Sequence, residues 1–391
     1  MALLQKMRAE MERLKKQAMA GVAAQEHMAR RAWLQVIYSN KGADGKDISE
    51  TLAEYLLSVS YTDNLSGQVD DISLTLEDKA GLWQGDWMPT KGATLDVTLH
   101  TYNWYSLYEG EITVSLGMFD VDEIELSSAP DVVTIKAVAI TVGDDSTLRS
   151  TLHSRTWENI SVQKLANDIA QENEMDLSWY CDDDPIIDKV EQDEESDLDM
   201  LQKVCNDAGF ALKVTTNEII IFDEAAYEEE DPLIEIYHPD TQKVIDISDE
   251  DDEAKPERIL QNTGYSFKSK LRDVYWACHV KYAKDKDKAV IEGTFVDPNK
   301  ESGAVLEVNQ EVNSQAEAER LAKKKLREKN REEYTGSFST IGQPFLCAGE
   351  TVEMIGFGTF SGKYIITQAK HDLSSSGFVT SIEIRRCLIG Y

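Results

Sequence analysis

Residues 58–99 read SVSYTDNLSGQVDDISLTLEDKAGLWQGDWMPTKGATLDVTL, and apolar and polar side chains alternate through much of this stretch. The alternation covers 57–62, 72–76 and 94–99. A period of two is the pattern of a half-buried β-strand. The turn at Asp63–Gly67, which carries Asn and Gly, separates the first two strands. Short alternating strands joined by such turns predict an antiparallel barrel or sandwich.

The same pattern extends outward on both sides. It recurs at 112–116 and 133–139, which gives a first β domain at about 32–145. Strand signals return after residue 259 in VYWACHVKY, AVIEGTFV, TVEMIGF, KYIITQA and FVTSIEI. One helix interrupts them. Its capping box, Ser314 with Glu317, predicts a start at 314, and its apolar stripe leads us to expect that it continues to about Tyr334. We therefore expect a second β domain over 259–391.

Residues 146–225 predict a small α+β module between the β domains. Apolar residues at 162, 165, 166, 169 and 170 form one helix face. A second helix is predicted from Ser196, as N-cap, to Gly209, as its end. The strand signals FALKV and IIIF follow.

Charge is concentrated in one region of the chain. The formal net charge is −32, and the segment from Cys181 to Glu253 holds 26 acidic and 4 basic residues. Overlapping this segment, residues 226–258 contain two acidic runs with prolines nearby, which indicates an acidic linker exposed to solvent.

The first 31 residues predict an amphipathic helix. Leu4, Met7, Met11 and Leu14 recur at alternating spacings of three and four, the spacing of a coiled-coil seam, over about two heptads. Two interpretations remain open. The helix packs on its own domain, or it is an assembly helix that meets a partner or other copies of the chain.

Length and composition exclude several classes of protein. A chain of 391 residues suggests two to three domains. Its acidity argues against specific nucleic-acid binding, and no stretch approaches the roughly 20 apolar residues of a membrane span. Five scattered cysteines without a C-x-x-C predict neither a disulfide framework nor a zinc ribbon, which suits assembly in a reducing cytoplasm.

The chain carries no recognisable catalytic, metal or cofactor motif, so we expect no enzyme activity and no cofactor. Three tryptophans are more informative: Trp83 and Trp87 lie in a turn between alternating strands, and Trp104 follows shortly after. They are either buried anchors at strand ends or parts of a subunit interface, where aromatic residues are enriched.

Five blocks in order resemble the phage late control protein D family, the hub proteins of contractile tails, which are similar to the hub part of type VI secretion spike proteins. The first is the stretch quoted above, at 58–99. The second contains Ala129-Pro130-Asp131 at the position of the family's "pp-d" turn, and the last contains His371 at the head of the "H-x-l" segment. The blocks are 58–99, 117–137, 156–177, 196–214 and 348–386.

The resemblance implies a mainly β (α+β) fold with two antiparallel β-barrel tube domains, a LysM-like insert at 146–225 and an N-terminal helix. It also implies a homotrimer in the virion tail baseplate that adapts a sixfold tail tube to a threefold spike. The implied partners are the tail tube protein, the spike protein, and baseplate wedge or tape-measure proteins. Acidic residues lining the bore or an exposed flange would repel passing DNA.

Two other functions remain as alternatives. A peptidoglycan-binding or cell-wall-active protein would act through the LysM-like insert, although we favour an insert that braces neighbouring proteins. A DNA-mimicking acidic protein fits less well, because the charge is regional and the body of the chain is rich in strands.

Overall fold

A computed structural model describes residues 30–40, 45–85, 87–104, 110–139, 147–215, 217–239, 257–259, 264–282, 290–312 and 314–390. The strands are β1 (Arg31–Ser39), β2 (Lys46–Asp47), β3 (Leu56–Asn64), β4 (Asp71–Glu77), β5 (Thr94–Tyr102), β6 (Glu111–Ser127), β7 (Val132–Val138), β8 (Leu152–Ser161), β9 (Asp176–Tyr180), β10 (Ile186–Ser196), β11 (Ala211–Val214), β12 (Glu218–Phe222), β13 (Ile234–Tyr237), β14 (Glu257–Ile259), β15 (Gly264–Ser269), β16 (Ala277–Tyr282), β17 (Ile291–Val296), β18 (Val305–Val308), β19 (Tyr334–Ile341), β20 (Thr351–Ile355), β21 (Gly362–Ser374) and β22 (Gly377–Arg386). The helices are α1 (Ser49–Tyr55), α2 (Thr147–Ser150), α3 (Val162–Glu172), α4 (Asp197–Ala208), α5 (Glu224–Glu229) and α6 (Gln315–Asn330), with short 3-10 helices at Leu82–Gln84 and Gly358–Phe360.

The chain divides into two compact units that interleave along the sequence. The first runs to Asp223 and adds Thr340–Ala348 and Gln368–Ser381. The second comprises Glu224–Ser339, Gly349–Thr367 and Ile382–Tyr391. The predicted boundaries at 32, 146, 226 and 259 stay predictions.

The large sheet of the first unit is antiparallel, as expected. Its order is β3-β4-β7-β6-β5-β1-β2, and residues 368–374 of β21 pair with the other side of β3. The alternation read from the sequence decides which side chains are buried, as Ile72, Leu74 and Leu76 show with exposed fractions of 0, 1 and 0%. Tyr61 and Phe119 pack edge to face in the same core. The prediction of a mainly β protein with large antiparallel sheets is therefore confirmed.

The α+β module at 147–223 belongs to the first unit. Helices α3 and α4 pack on a three-stranded sheet, β11-β12-β9, and β8 pairs with β10 in a separate ribbon. Both helix starts follow from the sequence, because the Ser161 and Ser196 hydroxyls accept hydrogen bonds from the backbone N–H groups of Lys164 and Asp199. Helix α4 ends at Gly209, which adopts the left-handed conformation with φ 87°.

The second unit is built around α6, which packs on the sheet β17-β16-β18. Gly293 of β17 allows this packing, since a Cβ there would lie 2.4 Å from the backbone nitrogen of Glu319. The helix begins after Ser314 as predicted and ends at Asn330, short of the expected Tyr334. The buried Asn330 side chain instead bonds the backbone of Tyr275 in both directions, at 2.8 and 2.9 Å.

Two expectations for the second unit are wrong. Pairing is not antiparallel throughout, because β13 runs parallel to both β14 and β20, and β16 runs parallel to β18. The solvated character predicted for 226–258 also fails over 226–239. There Tyr227 and Glu228 of α5 are buried, as are Ile234, Ile236 and Tyr237 of β13, and arginine side chains neutralise the buried acid.

Candidate functional site

Aromatic side chains gather at opposite ends of β1 and β5 in the first unit. The two strands are antiparallel, with Trp33 opposite His100 and Tyr38 opposite Leu95. The loop with Trp83 and Trp87 reaches the Tyr38 end, where the Thr90 N–H donates to Tyr38 Oη at 3.4 Å. Trp33 and Trp104 lie at the other end. We call the loop at the Tyr38 end the tryptophan loop (residues 78–93). The surface at the Trp33 end is called the tryptophan groove, and its lining residues are given below.

Asp78 fixes the tryptophan loop by accepting hydrogen bonds from the Trp83 N–H at 3.0 Å and from Gln84 Nε2 at 3.1 Å. Trp83 is therefore an anchor, with 6% of its surface exposed. Trp87 packs edge-on against Trp83 and Tyr55, with ring centroids 5.6 and 5.5 Å apart, and keeps 38% of its surface exposed. The exposed part of the loop, Trp87 with its neighbour Met88, can contact another apolar surface.

The tryptophan groove is a cavity of about 620 Å³. The large apolar side chains that line it are Trp33, Tyr102, Trp104, Leu373 and Phe378, and Arg30 and Arg31 line it as well.

The Trp104 ring is held in place in this groove. Its Nε1 donates to the Gly342 carbonyl at 2.6 Å, and the Arg30 guanidinium lies 5.2 Å from the ring centroid. Trp33 stacks on His100 with centroids 5.2 Å apart and stays 38% exposed. The groove is thus a rigid aromatic surface suited to an apolar segment.

The structure separates the residues singled out from the sequence. Trp83 and Trp104 are buried anchors, whereas Trp87 is exposed. Leu4, Met7, Met11 and Leu14 lie outside the described residues. Sequence reasoning missed Trp33. A large apolar side chain at a position of an alternating strand that points away from the core is a signal for an exposed contact residue.

His371 sits in the core of the first unit, stacked on Tyr61 with centroids 5.8 Å apart. Its Nε2–H donates to the Leu346 carbonyl at 3.1 Å, so the neutral ring accepts at Nδ1 from the Thr380 hydroxyl at 3.0 Å. Burial lowers the pKa of His371 to about 4, although Asp63 partly opposes this. The imidazole is structural.

We expect this histidine to make folding acid-sensitive. An unfolded His371 titrates near 6.5 and the folded one near 4, so its stabilising contribution is complete above 6.5 and is lost as the pH falls toward 4. The full effect is about 3 kcal/mol. We expect urea unfolding at several pH values to show that the free energy of unfolding falls less on acidification for His371→Gln than for the parent. His279→Gln is the control, because the His279 side chain is 27% exposed. The same dependence of the free energy of unfolding on pH for the parent and for His371→Gln would contradict the prediction.

Two buried ionic networks hold other elements in place. In the first unit, Lys213 of β11 pairs with Asp63 and, at 2.9 Å, with Asp70, and it donates to the Asn64 carbonyl at 3.1 Å. This network fastens the α+β module to the β3–β4 hairpin. Burial alone would lower the pKa of Lys213, but the two carboxylates raise it well above its usual value.

The second network joins three elements of the second unit. Arg385 of β22 pairs with Glu224 at 2.6 Å and with Glu228, both on α5. Arg327 of α6 also reaches Glu228 at 2.6 Å, and the Leu388 N–H donates to the same carboxylate at 2.7 Å. Some acids of the strongly negative region thus serve internal ion pairs.

Among the described residues, no group of three or more His, Cys, Asp or Glu side chains is placed to hold a metal ion. Within those same ranges, no helix is both long enough and apolar enough to cross a membrane.

Comparisons with known proteins agree with this architecture. The family described as phage tail baseplate hub (GPD) matches residues 121–377. Two curated proteins, each a probable baseplate hub protein, are similar over 181 residues, or 45% of this chain. The protein of Escherichia phage 186 is 28% identical and that of Escherichia phage P2 is 29% identical. The aligned part spans 42% and 43% of those proteins, less than half of each.

Solved structures share the fold at low sequence identity. The 43 kDa tail protein of prophage MuSo2 from Shewanella oneidensis has a TM-score of 0.63 at 12% identity, covering 90% of this chain and 98% of that one. A tail protein from Neisseria meningitidis MC58 has a TM-score of 0.61 at 10% identity, covering 90% and 97%. A chain of the half-lidded Francisella PdpA-VgrG complex has a TM-score of 0.52 at 12% identity, covering 98% of this chain and 62% of that one.

Proposed function

The chain belongs to the phage tail baseplate hub family, and from this membership we propose that three copies form a ring joining a sixfold tail tube to a threefold spike. The observation that carries the proposal is the division of one chain into two compact units, each rich in strands. Three such chains offer six strand-rich units around one axis, so the same ring can satisfy both symmetries. The role is structural.

The finer parts of the assignment are proposals of the same kind. We propose that each unit contributes one tube-forming barrel, that 146–225 is a LysM-like insert, and that the partners are the tail tube, the spike, and wedge or tape-measure proteins. Assembly takes place in the host cytoplasm. The units differ in detail, since α1 of the first has 7 residues and α6 of the second has 16. The two units of a chain would therefore occupy similar positions in the ring but make different side-chain contacts there.

We propose that the insert braces neighbouring proteins and does not bind cell wall. The buried Lys213 network supports this, because it fixes the insert to the sheet of its own unit. A pull-down of the full chain on purified peptidoglycan tests the proposal. We expect the chain to stay in the supernatant, and retention on the polymer would favour a cell-wall function.

The ring itself is tested by mixing the purified chain with its tail tube protein and measuring mass by light scattering. We expect complexes that contain three hub chains. Complexes with one or six hub chains would contradict the proposal.

We expect Trp87 to act at an assembly contact. Trp87→Ser will weaken incorporation into tails about tenfold or more, because aromatic anchors dominate interface energies. Incorporation is measured by quantifying the hub in purified tails from cells that produce the variant. Leu271→Ser, at an apolar side chain that is 91% exposed, is the matched control and will leave incorporation unchanged. Normal incorporation of the Trp87 variant would remove this residue from the interface.

A further inference from the structure

The tryptophan groove lies where the first 29 residues join the described chain. Arg30 lines the groove and directly precedes β1, so residues 1–29 join the described chain at a residue of the groove. A tethered segment meets a site beside its anchor at an effective concentration in the millimolar range. The segment therefore has an advantage over free competitors for this groove.

The chemistry of the segment matches that of the groove. Residues 1–29 hold five of the ten methionines of the chain, at positions 1, 7, 11, 19 and 28. Thioether groups fill irregular apolar spaces and make favourable contacts with aromatic rings. The groove supplies such rings in Trp33, Trp104 and Phe378, and Trp33 leaves 38% of its surface uncovered by the described residues.

Sequence spacing selects the part of the segment that returns to the groove. Gly21 is the only glycine before residue 42 and allows a chain reversal. Eight residues, 22–29, separate Gly21 from Arg30. If the chain reverses at Gly21, eight helical residues on the N-terminal side of the glycine return the same distance and reach residue 13. Met11 and Leu14, on the predicted apolar stripe, flank that point.

We propose that the tryptophan groove is the seat of residues 1–29 of the same chain, with Met11 and Leu14 packed against Trp33, Trp104 and Phe378. The segment covers an apolar surface that a partner would otherwise meet. The proposal stands apart from the trimeric ring, since it concerns contacts within one chain.

Site-specific photo-crosslinking in the full chain tests this seat. Benzoylphenylalanine replaces Met11 in one variant and Lys16, on the opposite side of the predicted helix, in the control. After irradiation, mass spectrometry locates the crosslinked peptides. We expect crosslinks from position 11 to peptides containing Trp33, Trp104 or Phe378, at about tenfold the yield from position 16. Adding Trp33→Ser will lower that yield severalfold, since the substitution removes apolar contact surface.

A mixture of isotopically light and heavy chains identifies the occupant. Crosslinks that join only chains of the same label support the proposal. Crosslinks between light and heavy chains would assign the groove to a second copy, and crosslinks from position 11 that avoid the groove would leave it to another protein. Either of these results overturns the proposal.

Discussion

Replacing Arg385 with methionine will lower the free energy of unfolding by about 3–5 kcal/mol, the cost of leaving buried charges unpaired. Arg385 is 3% exposed, and its guanidinium bonds Glu224 and Glu228 on α5. Burial would raise the pKa of Glu224, but the charges of Arg385, Arg331 and Arg327 together outweigh burial and lower it. Glu224 is therefore ionised at neutral pH, and methionine supplies no charge to balance it.

Urea unfolding measures this loss without screening the charges. Arg272→Met is the matched control, because the Arg272 side chain is 94% exposed, and we expect a change within about 0.5 kcal/mol. Repeating Arg385→Met in a Glu228→Gln background will give a smaller loss, since one of the two carboxylates that pair with Arg385 is then already neutral. A loss below about 1 kcal/mol for Arg385→Met alone would show that the network does not hold the second unit together.

Replacing Lys213 with methionine will cost about 3–5 kcal/mol at neutral pH and less in mild acid. Burial and the neighbouring Asp63 raise the pKa of Asp70 to about 6 even with Lys213 present. Without the ammonium group, that pKa will rise further. An aspartate whose folded pKa exceeds its unfolded value near 3.8 loses stability as the pH rises through the folded pKa. The deficit of the variant will therefore be larger at pH 8 than at pH 5.

Amide exchange separates the parts of the first unit that this substitution affects. We expect faster exchange in β11 and in the β3–β4 hairpin, which the ammonium group joins. Lys189→Met is the control, because the Lys189 side chain is 55% exposed and its ion pair is with the exposed Glu191. If the difference in free energy of unfolding between the parent and Lys213→Met is the same at pH 5 and pH 8, the proposed role of the two aspartates is contradicted.

Local pattern was enough to predict much of the first unit. The alternation at 72–76 and 94–99 shows which side chains are buried because a strand with one covered face has a period of two. Helices α3 and α4 were predictable for a similar reason, since serine N-caps and Gly209 mark their ends. These features depend only on residues close together in the chain.

Contacts between distant residues were not predictable in this way. Glu228 looked like part of a solvated acidic run, yet its partner Arg385 lies 157 positions away. The parallel pairs β13–β20 and β16–β18 leave no signal in hydrophobic periodicity, because strand direction does not alter it. The tryptophan groove is also assembled from separate parts of the chain, at 30–33, 102–104 and 373–378.

Electron cryomicroscopy of the assembled tail end tests the central claim most directly. The account predicts a hub layer of three chains in which six strand-rich units, two from each chain, lie at equal intervals around the tail axis. A layer of six chains, or one in which the two units of a chain lie at different distances from the axis, would contradict it.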